Sequence, residues 1–236
     1  MAAPVIKALI FDVFGSVVDW RASIIREGQA VGKRYGIETD WAAFADGWRG
    51  LYQPAMARIR NGERDFVKLD VLHRENLVEM LAKTGITKLD EAAIDDFNHA
   101  WHRLAPWPDS VEGLTRLKSK HIIATQSNGN VALMVNMAKN AGLPWDTILG
   151  AEVVGYYKPQ PQAYIRACEM LDLPRDQVMM SAAHNDDLAA AKACGLRTAF
   201  FPRKDRGPDQ TAGLTPEHDF DYVATDLIDL ARQLGC

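Results

Sequence analysis

Three features of the 236-residue chain predict an α/β fold: a Rossmann-like, doubly wound parallel sheet with an inserted α-helical segment. Short apolar runs alternate with helical patterns through the second half, as repeated βα units do. A long helical stretch without a good strand candidate separates the first apolar run from the others. Polar clusters follow the ends of the runs, where an open parallel sheet forms its ligand crevice.

The first run, residues 7–11, ends on Asp12, where the strand breaks into the loop Asp12-Val13-Phe14-Gly15-Ser16. An Asp just past such a strand points into the crevice rather than at bulk water, which makes Asp12 a candidate nucleophile. Two positions on stands Phe14, so the nucleophile has no second acid beside it. After Asp19 the period changes from two to helical. Residues 22–35 carry Ile24, Ile25, Ala30 and Val31 at helical spacing before Gly36, and 41–59 repeat Phe44, Trp48, Leu51, Tyr52 and Ala55 on one side, with Asp40 as N-cap. A third helix is expected over 66–81, stopped near Gly85. A fourth spans 90–104, its acidic first turn suited to the helix dipole. Pro106 and Pro108 form the return hinge, so the chain divides into a core of residues 1–18 and 105–236 and an insertion of 19–104.

The remaining strands are predicted at 122–125, 147–149, 178–180, 198–201 and 222–223. Helices at 113–117, 131–140, 162–171, 188–194 and 227–234 alternate with them, which implies a parallel sheet covered on both faces by right-handed crossovers. No internal repeat interrupts the pattern.

Composition excludes several classes. A hydrophobic fraction of 47% with 25% charged residues suits a globular protein and leaves no segment that reads as disordered. A net charge of -4 argues against nucleic acid as partner. Cys168, Cys194 and Cys236 are odd in number and lack a C-x-x-C pair, so neither a disulfide framework nor a zinc site is indicated, and a reducing cytoplasm is expected. No apolar stretch approaches the roughly 18 residues that span a bilayer. The N-terminus lacks a basic region followed by a cleavable apolar one, so the mature chain is expected to start near Met1.

Four polar clusters follow four strand ends: Asp12 with Ser16, Ser127-Asn128-Gly129-Asn130, Lys158-Pro159, and His184-Asn185-Asp186-Asp187. Each alone has a plain reading: a turn, a solvated lysine, an N-cap at Asp187. Such readings must account for each cluster separately, whereas one active site accounts for them together.

Taken as an ordered set, these residues resemble the haloacid dehalogenase superfamily, and within it the type II L-2-haloacid and haloacetate dehalogenases. The likeness runs over almost the whole chain: Asp12-Val13-Phe14-Gly15-Ser16-Val17-Val18-Asp19, then Ser127-Asn128-Gly129, then Lys158-Pro159 with Tyr164, then Asp186-Asp187. The insertion resembles the family's cap, with Trp48-Arg49 like its Trp-Arg pair. It departs where His184 and Asp186 stand in place of the Asn and Trp of many type II members. The His-Asn-Asp-Asp version, with Trp20-Arg21, is similar to the subgroup acting on short haloacetates, fluoroacetate included.

The resemblance implies a displacement by Asp12 at the carbon α to the substrate carboxyl, and an aspartyl ester that water hydrolyses. A halide leaves without a proton, so Phe14 is compatible with carbon–halogen cleavage where a phosphatase needs a second acid. Lys158 pairs with Asp12 and lowers its pKa. Asp187 orients or deprotonates the water, with His184 nearby as a base near neutral pKa or as a shaper of the pocket, the catalytic role being favoured. Arg49 and Asn128 hold the halide; Ser127 and the loop amides around Val13 and Phe14 hold the substrate carboxylate, with Asn185 adjoining. Ser16 and Tyr164 support Asp12 and Lys158, and Trp20, Trp101 and Trp107 are packing residues. No cofactor and no metal is implied. Family members are commonly dimers, so a homodimer with a small haloacid substrate and a halide product is expected. The alternatives are a magnesium-dependent phosphatase using Asp186-Asp187 with Asp12, and a non-catalytic anion-binding protein.

Overall fold

A computed structural model describes residues 5–236; the expected start of the chain near Met1 lies outside them. The first strand, β1 (Ala8–Phe11), is buried throughout and leads to a two-residue strand, β2 (Val18–Asp19). Five helices follow: α1 (Trp20–Tyr35), α2 (Trp41–Gly50), α3 (Tyr52–Arg60), α4 (Leu69–Lys83) and α5 (Glu91–Asn98), the last running into a 3-10 turn, His99–Arg103. The chain returns through β3 (Ala105–Pro106), antiparallel to β2. Next come α6 (Ser110–Lys118), β4 (Ile122–Ser127), α7 (Val131–Ala141), β5 (Thr147–Gly150), α8 (Ala151–Val154) and α9 (Pro161–Met170). The last elements are β6 (Val178–Ala182), α10 (Asn185–Ala193), β7 (Arg197–Phe200), β8 (Tyr222–Val223) and α11 (Leu227–Gln233).

The main sheet runs β5-β4-β1-β6-β7-β8 and every pairing in it is parallel. Side chains alternate between its two faces with a period of two. Leu9 and Phe11 join one hydrophobic cluster, which continues into the helical insertion, while Ala8 and Ile10 join the other. A strand covered on both faces must be apolar at every position, which explains the unbroken runs in the sequence. In the register Phe11 sits between Thr125 and Ser181. The chain therefore leaves β1, β4 and β6 at one edge, and their following loops meet there.

Several predicted elements change in detail. The single helix expected over 41–59 is two, because the chain turns at Leu51 between α2 and α3. The helix expected from 66 begins at Leu69, and that expected over 90–104 tightens into the 3-10 turn. The ribbon β2–β3 and the short α8 carry no readable period at their lengths. Asp40 caps α2 as expected, accepting from the amides of Ala42 and Ala43. Asp187 is not an N-cap: α10 starts at Asn185 with His184 in the cap position, so Asp187 lies in the first turn.

Candidate active site

A cavity of about 720 Å³ opens at the carboxyl edge of the sheet, lined from below by Asp12, Asn128, Lys158 and Asp187 and from the helical insertion by Trp20, Arg49, Tyr52 and Arg60. At its floor a chain of alternating charges runs Asp187–Lys158–Asp12–His184–Asp205. Lys158 Nζ donates to Asp187 Oδ2 at 2.5 Å and to Asp12 Oδ1 at 2.9 Å. His184 Nδ1 stands 3.0 Å from Asp12 Oδ2, and its Nε2 3.2 Å from Asp205 Oδ2. Carboxylates only accept, so an imidazole with a carboxylate at each nitrogen is satisfied only when both nitrogens carry protons. His184 is therefore an imidazolium. Burial favours the neutral ring, but the hydrogen bonds and charges of Asp12 and Asp205 outweigh it and push His184 up to about 10.

Asp12 is nearly buried, which alone would raise its pKa. Together the Lys158 ammonium, His184 and the Ser16 hydroxyl outweigh burial and hold the carboxyl well below the usual range. Ser16 Oγ accepts the Ala183 amide at 3.0 Å, so its single proton is directed to Asp12 Oδ2 at 2.6 Å. Oδ2 thus receives two donors and Oδ1 one, which leaves Oδ1 the freer oxygen. Burial also disfavours charge on Lys158, yet Asp12 and Asp187 raise it above its ordinary value. Asp187 accepts from Tyr164 Oη at 2.6 Å as well as from Lys158. Burial and the neighbouring Asp12 charge keep its pKa raised despite the ammonium.

Above this chain, Arg49 reaches from α2 into the cavity with its guanidinium over three ring faces: Tyr52 at 4.0 Å, Trp20 at 5.4 Å and Phe14 at 5.7 Å. Its Nη1 is buried without a hydrogen-bond partner among the described residues. A buried, unpaired guanidinium nitrogen is costly unless an anion meets it. Asn128 Oδ1 accepts the Lys158 amide at 2.9 Å, which turns the donor end of its carboxamide elsewhere. Phe14 packs edge-on against His73 and Trp101 and fills the place of a second acid with a ring.

Of the residues singled out in the sequence, Asp12, Phe14, Arg49, Asn128, Lys158, Tyr164, His184 and Asp187 meet around this cavity. Ser16 touches it through Asp12. Val13 is fully buried in the core. Ser127 is buried with its Oγ accepting the Gly129 amide at 3.0 Å, outside the cavity lining. Asn185 is spent elsewhere, donating to the Thr215 carbonyl and accepting the Glu217 amide, so the expected substrate contact is corrected to an anchor of the 205–217 loop. His184, expected to be a base of near-neutral pKa or a shaper of the pocket, has its pKa raised by the two carboxylates beside it. Trp20, expected to be packing only, lines the cavity and donates its indole N–H to Asp205 Oδ2 at 3.3 Å.

Asp205 itself was missed. The signal was present, because Arg203-Lys204-Asp205-Arg206 is a further polar cluster after a strand end, that of β7. Arg203 fastens this loop beneath Asp12: its Nε donates to the Ser16 carbonyl at 3.0 Å, and both terminal nitrogens reach the Asp109 carboxylate.

A magnesium ion, as a phosphatase would require, does not fit these residues. Asp12 already receives two cationic groups within 3.0 Å, and a divalent cation at that carboxylate would face both. Among the described residues no group of three or more His, Cys, Asp or Glu side chains could hold a metal. No helix of the described residues is long and apolar enough to cross a membrane.

Residues 6–195 match the family model described as a haloacid dehalogenase-like hydrolase. A curated relative, (S)-2-haloacid dehalogenase 4A from Burkholderia cepacia, is 25% identical over 208 residues, covering 86% of this chain and 86% of that protein. Among solved structures, a defluorinating L-2-haloacid dehalogenase superposes with a TM-score of 0.96 at 50% identity, covering 98% of this chain and 96% of the other. A second L-2-haloacid dehalogenase gives 0.95 at 48% identity, covering 98% and 99%.

Proposed function

The chain belongs to the haloacid dehalogenase-like hydrolases, and we propose that within this family it is a hydrolytic dehalogenase converting short 2-haloacids and haloacetates to 2-hydroxyacids and halide through an aspartyl ester. One observation carries the reading: an ionised Asp12 and an unpaired Arg49 guanidinium line one cavity, with a phenyl ring where a leaving alkoxide would need an acid. A structural relative at 50% identity is described as defluorinating, which brings fluoroacetate into the proposed substrate range.

In this reading the substrate carboxylate is held by polar groups of the cavity, and Asp12 Oδ1 attacks the halogen-bearing carbon. The carbon–halogen bond breaks as the carbon–oxygen bond forms, inverting that carbon once. The electron pair leaves on halide, which takes the free hydrogen bonds of Arg49 and Asn128; donors aimed at developing charge in a water-poor site supply the largest electrostatic contribution. Asp187, poised by Lys158 and Tyr164, takes a proton from the water that attacks the ester. His184, already protonated, does not compete for that role. Residues 19–104 serve as the cap over a core of 1–18 and 105–236. A homodimer in the cytoplasm completes the reading: free thiols at all three cysteines suit a reducing compartment, and sedimentation equilibrium tests the dimer.

Halide release from chloroacetate, fluoroacetate and each enantiomer of 2-chloropropionate, measured with chelator present, is the direct test. Halide from the L enantiomer with D-lactate as product is expected, and phosphate release from phosphoesters is not. In a single turnover in heavy-oxygen water the label should enter Asp12. Label found in the hydroxyacid alone would contradict the ester route.

A further inference from the structure

Five charged groups line up at the floor of the cavity, and the dehalogenase reading gives steps to Asp12, Lys158 and Asp187 while His184 serves only to keep Asp12 ionised. The fifth, Asp205, has no part in that reading although it borders the cavity, and it is deeply buried with its Oδ2 over the backbone of Gly15, so tightly that a Cβ on that glycine would meet it at 2.4 Å. Resting on the dehalogenase reading, we propose that Asp205 is a positioning residue for ester hydrolysis: it keeps His184 doubly protonated after Asp12 is esterified, so that His184 Nδ1–H and Ser16 Oγ–H receive the oxyanion on Asp12 Oδ2.

The geometry assigns the oxygens. Oδ2 is engaged by Ser16 at 2.6 Å and His184 at 3.0 Å, whereas Oδ1 has only Lys158 at 2.9 Å. Oδ1 therefore becomes the ester oxygen and Oδ2 the carbonyl oxygen. Water attacks Cγ and gives a proton to Asp187, and the displaced electron pair rests on Oδ2 between its two donors. When the intermediate collapses, the bond from Cγ to Oδ1 breaks. The hydroxyacid departs with Oδ1 and takes a proton from Lys158, which Asp187 then restores. The Asp12 carboxyl loses its proton to solvent and the carboxylate is regenerated.

Esterification removes the negative charge shared by Lys158 and His184. Each cation then depends on its outer partner, Asp187 for Lys158 and Asp205 for His184. The charged groups around the ring are Asp12 at the end of β1, Asp205 and Arg206 on the loop after β7, Asp186 in the first turn of α10, and Lys158 with Asp187 one link away. In the ester Asp205 is the carboxylate still hydrogen-bonded to the imidazole. Trp20 holds Asp205 from the cavity side, and His184 keeps its pKa below the usual carboxylate range against the effect of burial.

Asp205→Asn, compared with the unsubstituted enzyme by rapid quench and intact mass on chloroacetate, tests this. Expected is a full burst of chloride equal to the enzyme present, followed by slow turnover with the ester mass accumulating. The unsubstituted kcat should be level from pH 6 to 8.5; that of the variant should fall about tenfold per unit above about pH 7, as an imidazolium with an ordinary pKa is lost. In a His184→Asn background Asp205→Asn should add nothing, which separates action through the ring from damage to the loop. A burst slowed in step with turnover, a level profile in Asp205→Asn, or an effect persisting without His184 would overturn the assignment. Absence of any chloride release from the unsubstituted enzyme would instead sink the dehalogenase reading, and this inference with it.

Discussion

As the proposed nucleophile, Asp12 has to satisfy opposite demands, since such a group must be poorly hydrated to be reactive and ionised to be nucleophilic at all. The flanking cations reconcile these: burial removes water while Lys158 and His184 keep the charge. Asp12→Asn, with deamidation excluded by sequencing, should lower halide release by about a thousandfold or more, read by steady-state kinetics. Phe14→Asp would place a second carboxylate in a nearly sealed aromatic setting beside His73, itself driven down to about 3 by burial and by Arg49. A loss of about 2–4 kcal/mol of stability is expected in urea unfolding, without a gain of phosphatase activity. His184 also links stability to pH. Its pKa is raised from 6.5 to about 10 in the folded protein, so its contribution is complete below about 6.5 and is lost as pH climbs through 10. The urea midpoint should fall between pH 7 and 10, less steeply in Asp205→Asn. Asp12 was legible in the sequence because it follows a strand end; Lys158 lies beyond α8 rather than at the end of β5, and it stood out only as part of the ordered set of polar clusters. Asp205 also sits in a polar cluster after a strand end, but its role depends on folding that brings it to a histidine 21 positions away.

Helices meet here through glycines that the hydrophobic pattern cannot flag. Gly113 on α6 lies so close to α11 that an added Cβ would stand 2.5 Å from the Leu227 side chain and 2.7 Å from its backbone carbon. Backbone cannot yield as a side-chain tip can, so Gly113→Ala should cost about 1–3 kcal/mol, seen as a lower melting temperature. Gly28 on α1 has a similar role beneath the Trp41 ring. The existence of nearly every helix and strand was readable from periodicity, since burial on one face or two leaves a repeating signature. Ends were less legible. The turn at Leu51 falls inside an apolar pattern that runs through it, and the start of α10 at Asn185 sits among polar residues with no period. That second boundary matters chemically, because it places Asp187 on a rigid first turn.

The cavity belongs to neither half of the molecule alone, as Asp12 comes from the end of β1, Lys158 from the segment between α8 and α9, and Arg49 from the helical insertion. Asp70 and Asn130 fasten the two together: Asn130 Nδ2 donates to Asp70 Oδ2 at 2.8 Å, and the Asp70 amide donates back to Asn130 Oδ1 at 3.1 Å. Asn130→Ala should remove about 1–2 kcal/mol from this closure. It should raise KM for chloroacetate several-fold while leaving kcat within about twofold, measured by steady-state kinetics. The helical run before β3 was readable from spacing, but not this fastening, whose partners lie 60 positions apart. The strands flanking the insertion lie side by side, Val18 against Pro106 and Asp19 against Ala105. Entry and exit therefore form one socket, and the helices above the nucleophile plug into it as a cassette. The helices between them can thus be altered without re-threading the strands that carry the Asp12 carboxylate.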